Sequence, residues 1–305
     1  MKHFIDISDV SAADIEELIA LAFELKKKQK AGEAHKYLEG KILAMIFTKA
    51  STRTRASFEA GIYQLGGYPM VLSGADLQLG RGEPICDTAR VLSRYVDGIM
   101  IRTFKQSDVE GLAQYGSVPV INGLTDDTHP CQILADLMTI AECKGGLKGI
   151  RLAYVGDGYN IANTLLQACP KAGVNIAVAT PAEYACRQEY VDQARAAAAA
   201  SGSSVMITND PAAAVRGADA VYTDTWVSMG MEAENDDRIK RFKGFEVTAE
   251  LMAMADADAI FLHCLPAYRG LEVSEDVIEG PASRVFDEAE NRLHAQKAVL
   301  VKLMG

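Results

Sequence analysis

The chain has 305 residues, long for a single core and suited to two domains of ordinary size. Hydrophobic residues make up 49% and charged residues 24%, ordinary for a globular protein, and no apolar run approaches the ~20 residues that span a bilayer. A formal net charge of −10 argues against a nucleic-acid partner.

The N-terminus, MKHFIDISDV, carries early acids and no signal-peptide h-region, so a cytoplasmic location without membrane association is expected. The net charge does not exclude a small anionic ligand. Charges beyond a Debye length of ~8 Å are largely screened, whereas an arginine ~4 Å away contributes about 4 kcal/mol at an effective dielectric of 20. The six cysteines, Cys86, Cys131, Cys143, Cys169, Cys186 and Cys264, form no C-x-x-C pair and no zinc-like spacing. They read mostly as small buried residues in a reducing compartment.

In chain order, residues 11–30 read as an amphipathic helix opened by Ser11 and Asp14 and closed by lysines. Ile42 to Phe47 is an apolar strand. It runs into STRTR, residues 51–55, and then into a helix with Phe58, Ile62 and Leu65 on one face that stops at Gly66-Gly67. A short strand at Pro69–Leu72 precedes a Gly-rich loop, residues 73–84. Cys86 to Arg94 reads as a helix, and Gly98–Arg102 and Val118–Asn122 read as strands. A helix with Pro130 in its first turn ends at Gly145-Gly146.

That Gly-Gly is the expected domain boundary, giving residues 1–146 and 147–287, with a last helix from about 288. After it the pattern restarts. Strands fall at Ile150–Val155, Val174–Ala179, Val205–Thr208, Ala220–Thr223 and Ala259–Leu262. Helices lie after Gly156, around residues 194–200, near Pro211–Arg216 and from Glu288 to Lys302. Repeated strand–helix alternation predicts an α/β fold of two mainly parallel sheets flanked by helices.

Six polar signatures follow predicted strands: Ser51 to Arg55, Arg102, the His129 turn, the Gly156 turn, Asp224 and His263-Cys264. In open parallel sheets, ligands bind at the carboxyl ends of strands. At Ser51–Arg55 the exposed N–H groups of a helix start, the Ser51 cap, the Thr52 and Thr54 hydroxyls and the Arg53 fork suit a phosphate. Taken alone, the stretch reads equally as a capped helix with solvated arginines. Arg55 lies about 200° round the helix from Arg53 and faces elsewhere.

In HPCQ, residues 129–132, His129 at a helix start favours neutral imidazole, and Gln132 shares its face. The pair suits an amide or carbamoyl group, or else a capping histidine beside a solvated glutamine. GDGYNIA, residues 156–162, imitates a dinucleotide fingerprint but has Ile161 where a small residue is wanted, and Glu183 is a poorly placed acid. Its alternative is Asn160 presenting an amide to a ligand carboxylate. DTWVSMG, residues 224–230, offers Asp224 to an ammonium group and Ser228-Met229-Gly230 either as a closing loop or, on three residues alone, as an ordinary one. HCLP, residues 263–266, sets the Cys264 thiol and the Leu265 carbonyl at a sheet edge, either as reactive groups or as inert packing. Arg292 in AENRLHAQKA reads as a surface arginine.

These motifs, in this order and over nearly the whole chain, resemble the aspartate/ornithine carbamoyltransferase family. STRTR and HPCQ match its carbamoyl-phosphate signatures, while DTWVSMG, HCLP and DLQLGRGEPICDTARVLSRYVDGIMIRT resemble its ornithine branch. The resemblance implies transfer of the carbamoyl group of carbamoyl phosphate to the δ-amine of L-ornithine, giving L-citrulline and phosphate. It favours arginine biosynthesis over arginine catabolism, calls for no metal or redox cofactor, and implies that the C-terminal helix packs back on the first domain.

It also implies roles. Ser51, Thr52, Arg53, Thr54 and Arg102 hold the phosphate. Arg102, Thr54 and His129 polarise the carbonyl, and Gln132 with the Cys264 and Leu265 carbonyls positions the carbamoyl amine. Arg292 returns to this site, and Gln78 reaches the phosphate of a neighbouring subunit, implying a homotrimer. Asn160, Asp224, Ser228 and Met229 bind ornithine, and Cys264 with Asp224 orients or deprotonates its amine. Tyr159 and Tyr268 depart from the family's common Asn and His on the acceptor side. The alternatives are a putrescine carbamoyltransferase, which would leave Asn160 and Ser-Met-Gly without a carboxylate to bind, and a non-catalytic regulator on the same fold.

Overall fold

The computed structural model describes residues 1–227 and 235–305 and divides the chain into two compact units. Unit 1 comprises Met1–Met138 and Glu290–Gly305, and unit 2 comprises Thr139–Ala289. Ser228 and Met229 lie outside the described residues.

Unit 1 opens with α1 (Ala12–Lys30), whose start is a capping box. The Ser11 hydroxyl accepts from the Asp14 N–H, and the Asp14 carboxylate accepts from the Ser11 N–H. Then follow β1 (Ile42–Phe47), α2 (Thr52–Gln64), β2 (Tyr68–Ser73), α3 (Ile85–Leu92), β3 (Gly98–Arg102), α4 (Gln106–Tyr115), β4 (Val120–Leu124) and α5 (Pro130–Lys144). All pairings are parallel, in the order β2-β1-β3-β4. β3 and β4 are buried along their whole length, as strands covered on both faces must be. Ala44, Ile46, Ile99, Ile101, Val109 and Leu112 pack together on one side of the sheet.

The sequence pattern assigns no helix at α4 and places the strand at Val118–Asn122, two residues ahead of β4. Gly111 weakens the helical pattern of α4. The structure shows why it is glycine, since a Cβ there would lie 2.6 Å from Ile85 of α3.

Unit 2 runs β5 (Arg151–Val155), α6 (Asn160–Lys171), β6 (Asn175–Ala179), α7 (Gln188–Ser201), β7 (Val205–Thr208), α8 (Pro211–Val215), β8 (Ala220–Thr223), α9 (Asn235–Arg241), α10 (Ala249–Met252), β9 (Ile260–His263) and α11 (Glu275–Ile278). Its sheet is also parallel, in the order β7-β6-β5-β8-β9. The expected strands are all present, whereas the short helices α9 to α11 carry too few turns to show a period.

The last helix, α12 (Val285–Met304), begins three residues before its expected start. Residues 290–305 pack on unit 1, so the C-terminal helix does return to the first unit. Lys26 of α1 donates to Asn291 at 2.8 Å, and Lys302 pairs with Glu17 at 2.6 Å. Between these anchors lies buried Lys297, which donates to His35 Nε2 at 3.1 Å and to Gln64 Oε1 at 3.0 Å. His35 Nδ1 donates to the Glu33 carbonyl at 2.7 Å, which leaves Nε2 as the acceptor for the ammonium.

Burial lowers the Lys297 pKa to about 8 from an ordinary 10.5. Between those values the unfolded chain holds the proton that the folded chain has lost, so Lys297 makes stability rise with pH across this window. Urea midpoints of wild type and Lys297→Met, compared at pH 7.5 and 10, should show wild type gaining on the variant at the higher pH. Parallel changes would contradict this reading.

Candidate functional site

In unit 1 the chain leaves β1 outward to β2 and β3 outward to β4, so the crevice beyond β1 and β3 is the sheet's switch point. The register places Phe47 beside Arg102, which brings the β1–α2 turn next to the end of β3. Ser51, in extended conformation, caps α2, and its hydroxyl accepts from the Thr54 N–H at 3.1 Å. Gly66, with φ of 86°, closes the helix as the sequence reading expected.

The Thr54 hydroxyl is the hub of the cluster. It accepts from Arg102 Nη1 at 3.3 Å and from Arg292 Nη2 at 3.1 Å. Arg292 also donates to Gln132 Oε1, and Gln132 donates to Asp136 at 2.8 Å. Arg292, read from sequence alone as a surface residue, is therefore buried inside the cluster. Thr54, Arg102, Gln132 and Arg292 come together, and His129 stands with them at the start of α5. Arg55 is exposed and pairs with Glu59 at 3.2 Å, away from Arg53 as its helical angle requires.

The His129 pKa is held well below the usual imidazole range. Burial is the largest cause, followed by the positive charges of Arg292, Arg102, Lys49 and Arg53. The neutral imidazole expected from the helix start is thus mainly a consequence of desolvation and converging cations. Arg53, Arg102 and Arg292 beside one neutral histidine offer the set of N–H donors that suits an anion.

The turn carrying His129 is held from beneath. Gln106 accepts from Thr125 at 2.8 Å and Thr128 at 3.4 Å, and Asn122 donates to Thr128 at 3.2 Å. Cys131 of HPCQ points into the core, and burial pushes its thiol up to about 12, which makes it inert packing. Gln78 opens the 3-10 turn Gln78–Arg81 with its side chain exposed. Among the described residues no hydrogen bond joins that side chain to the cluster.

In unit 2 the switch point lies between β5 and β8. Asn160 opens α6 just after β5, is buried, and follows Tyr159 at the cap position. β8 and β9 are neighbours with Thr223 beside His263, so the next residues of each, Asp224 and Cys264, emerge together. The Cys264 thiol donates to Asp224 Oδ1 at 3.0 Å, and the Thr225 N–H donates to the same oxygen at 2.7 Å. Burial raises the Asp224 pKa, opposed by these two hydrogen bonds.

The Cys264–Leu265 turn is fixed by groups the sequence reading did not single out. The Leu265 N–H donates to His263 Nδ1 at 2.8 Å, so the ring proton sits on Nε2, which donates to Glu272 at 3.2 Å. Glu272 also accepts from the Tyr268 N–H at 2.6 Å, while Tyr268's own side chain is exposed. Leu265 takes the left-handed φ of 57° before a cis peptide bond to Pro266. Asp224, His263 and Cys264 each place one potential ligand atom within 4.8 Å of the others. Both His263 ring nitrogens are already engaged, which makes the trio a poor cation site.

The Gly156 turn has a packing reason for its glycines. A Cβ on Gly158 would lie 2.4 Å from the Tyr184 carbonyl and the Cys186 N–H nitrogen, and Gly158 N–H donates to that carbonyl at 2.9 Å. Close approach of protein backbone accounts for the glycine that imitates a dinucleotide fingerprint. Gly158→Ala should cost about 3 kcal/mol as read from urea midpoints, because backbone must shift. A cost within error of zero would refute the close approach.

Asp157 in the same turn forms a buried ion pair with Arg238 of α9. Arg238 also donates to the Trp226 carbonyl at 2.6 Å and lies 4.4 Å over the Tyr184 ring. Tyr154 of β5, whose hydroxyl donates to the Asp157 carbonyl at 2.8 Å, completes this floor. A lone charged residue or strand tyrosine carries no spacing by which sequence could single it out.

Two doubly wound parallel sheets, one ending in an arginine-ringed helix start and one in a thiol–carboxylate pair, define a two-domain α/β protein with an anion site in its first unit. A family model described as the carbamoyl-P binding domain of aspartate/ornithine carbamoyltransferase matches residues 2–142, and one described as the Asp/Orn binding domain matches residues 148–303. The chain belongs to the aspartate/ornithine carbamoyltransferase family, whose members are enzymes.

The ornithine carbamoyltransferase of Caldicellulosiruptor saccharolyticus is 59% identical over 301 residues, covering 99% of this chain and 98% of that protein. The ornithine carbamoyltransferase structure from Pyrococcus furiosus superposes with a TM-score of 0.97 at 52% identity, covering 100% of this chain and 97% of that one. The structure described as anabolic ornithine carbamoyltransferase from Campylobacter jejuni gives 0.94 at 44% identity, covering 99% of both chains.

Proposed function

We propose that the protein transfers the carbamoyl group of carbamoyl phosphate to the δ-amine of L-ornithine, releasing phosphate and L-citrulline. The observation that carries this reading is the Thr54 hub, where two buried guanidinium groups meet one hydroxyl at a helix start beside neutral His129. Ser51, Thr52, Arg53, Thr54, Arg102 and Arg292 take the phosphate. Thr54, Arg102 and His129 stabilise the oxyanion that forms when the amine adds to the carbamoyl carbon, and Gln132 accepts from the carbamoyl amine. The Cys264 and Leu265 carbonyls are assigned as further acceptors for that amine. Neutral His129 suits the role because it donates without adding a charge that must later be discharged.

On the acceptor side, Asn160, Asp224, Ser228 and Met229 are assigned to the α-amino and carboxylate groups of ornithine. An alkylamine has an ordinary pKa near ~10.4, so attack requires loss of a proton. The Cys264–Asp224 pair, already sharing one hydrogen bond, orients the amine and takes that proton. The names of the relatives support ornithine as the acceptor, and the anabolic relative supports a place in arginine biosynthesis. We further assign a cytoplasmic homotrimer in which exposed Gln78 of one copy reaches the phosphate of its neighbour. Light scattering of the purified protein tests the trimer, and a monomer with full activity would refute it.

The acceptor is tested by a citrulline-type colorimetric assay with carbamoyl phosphate, comparing L-ornithine with putrescine, N-acetylornithine and L-aspartate. Ornithine should exceed every other amine by at least ~100-fold in kcat/KM, because putrescine lacks the carboxylate, N-acetylornithine lacks the free α-amine and L-aspartate lacks the δ-amine, so each leaves an assigned group of the site without its partner. A preference for putrescine would move the chain to the diamine reaction, and no turnover with any amine would favour a binding role.

A further inference from the structure

The residue two positions before the Ser51 cap, Lys49, has no part in the assignments above, yet it is only 5% exposed. Its ammonium lies 2.8 Å from Asp126 Oδ1 and 5.0 Å above the Phe104 ring. The three residues sit on three different strand-end loops. Lys49 is on the β1–α2 loop that leads into Ser51–Thr54. Phe104 is two residues past Arg102 on the β3–α4 loop, and Asp126 is three residues before His129 on the β4–α5 loop.

Backbone bonds lace these loops in series. The Thr48 N–H donates to the Arg102 carbonyl at 3.0 Å, Thr103 to Leu124 at 3.0 Å, and Asp126 to Phe104 at 2.9 Å. Lys49 spans the series directly from the first loop to the third, with its stem buried and its charge on an aromatic face. A buried ammonium is costly unless paired, so such a residue is kept where its geometry matters.

We propose that Lys49 is a positioning residue of the donor site, its pairing with Asp126 over Phe104 setting the distance between the phosphate-holding start of α2 and His129. The inference rests on the carbamoyl-phosphate reading and deepens it. Phosphate bound at Ser51–Thr54 and a carbonyl oxygen at His129 belong to one molecule, so their separation must match the short span of three bonds that joins phosphorus to that oxygen. An error of ~1 Å in such a separation costs on the order of 10²-fold.

The test is a double-mutant cycle on the full chain with Lys49→Met and Asp126→Asn, reading kcat, KM for carbamoyl phosphate, and inhibition by inorganic phosphate. Each single variant should lower kcat/KM for carbamoyl phosphate roughly 10- to 100-fold, and the double variant should be no worse than the poorer single within about twofold. Inhibition by inorganic phosphate, which does not span the two loops, should change less than about threefold, and Lys49→Arg should recover most of the loss.

Additive losses with Asp126→Asn near wild type would make Lys49 a direct ligand and overturn the proposal. Lowered thermal midpoints with unchanged kcat and KM would make the pair merely structural and overturn it as well. Wild-type protein that neither turns over carbamoyl phosphate nor binds phosphate would instead defeat the donor-site reading itself.

Discussion

Arg102→Ala is expected to lower kcat with carbamoyl phosphate and ornithine roughly 10³-fold while the protein stays folded. The side chain is buried at the end of β3 and touches the Thr54 hydroxyl, so its guanidinium is aimed at the crevice beyond β1 and β3. Loss of one preorganised oxyanion donor costs about 10²–10³-fold, and this one also carries a charge for the leaving phosphate. Arg292, on the same hydroxyl, keeps part of the phosphate affinity, so kcat should fall more than donor affinity. Arg102→Lys should recover little, because an ammonium cannot offer the planar fork. A variant within about threefold of wild type would remove Arg102 from the chemistry.

Asp224→Asn and Cys264→Ser carry the second large effect. Taking a proton from the attacking amine is general-base work, worth roughly 10²–10⁴-fold. Asp224→Asn should lose about that much in kcat, and Cys264→Ser, which keeps a donor toward Asp224, should lose less, about 10²-fold. Neither substitution removes a side chain assigned to the donor, since Cys264 is assigned to it only through its backbone carbonyl, so KM for carbamoyl phosphate should stay close to wild type.

The pKa of Asp224, raised by burial, makes a sign prediction. Between 3.8 and the raised value the folded state holds a proton that the unfolded chain has lost, so this group lowers stability as pH rises through that window. Above the window the full cost remains, and Asp224→Asn should be as stable as wild type or more so at pH 7 while far less active. Urea unfolding at pH 5 and 7 checks it. A variant that is destabilised only at pH 7 would contradict the burial cost.

Much of this was legible in the sequence for identifiable reasons. Ser51 and Gly66 bracket α2 because a cap and a left-handed stop are local chemistry, written in adjacent residues. Polar groups at strand ends mark the crevices because parallel topology puts every such end on one side of the sheet. The partners of those groups were not legible. Thr54 and Arg292 are 238 positions apart, and only folding of α12 onto unit 1 makes them neighbours. Lys49, Arg238 and Glu272 sit in loops or a short helix, where a charged residue resembles a solvated one until its burial is known. Gly158 shows the reverse failure, in which a glycine that imitates a nucleotide signature is there to admit the backbone at Tyr184.

The most direct measurement follows phosphate and citrulline together in one reaction containing the protein, carbamoyl phosphate and L-ornithine. The two products should appear one for one, only when ornithine is present, and both should fall together in Arg102→Ala and Cys264→Ser. Phosphate released without citrulline, or product formation indifferent to both substitutions, would contradict carbamoyl transfer at these residues.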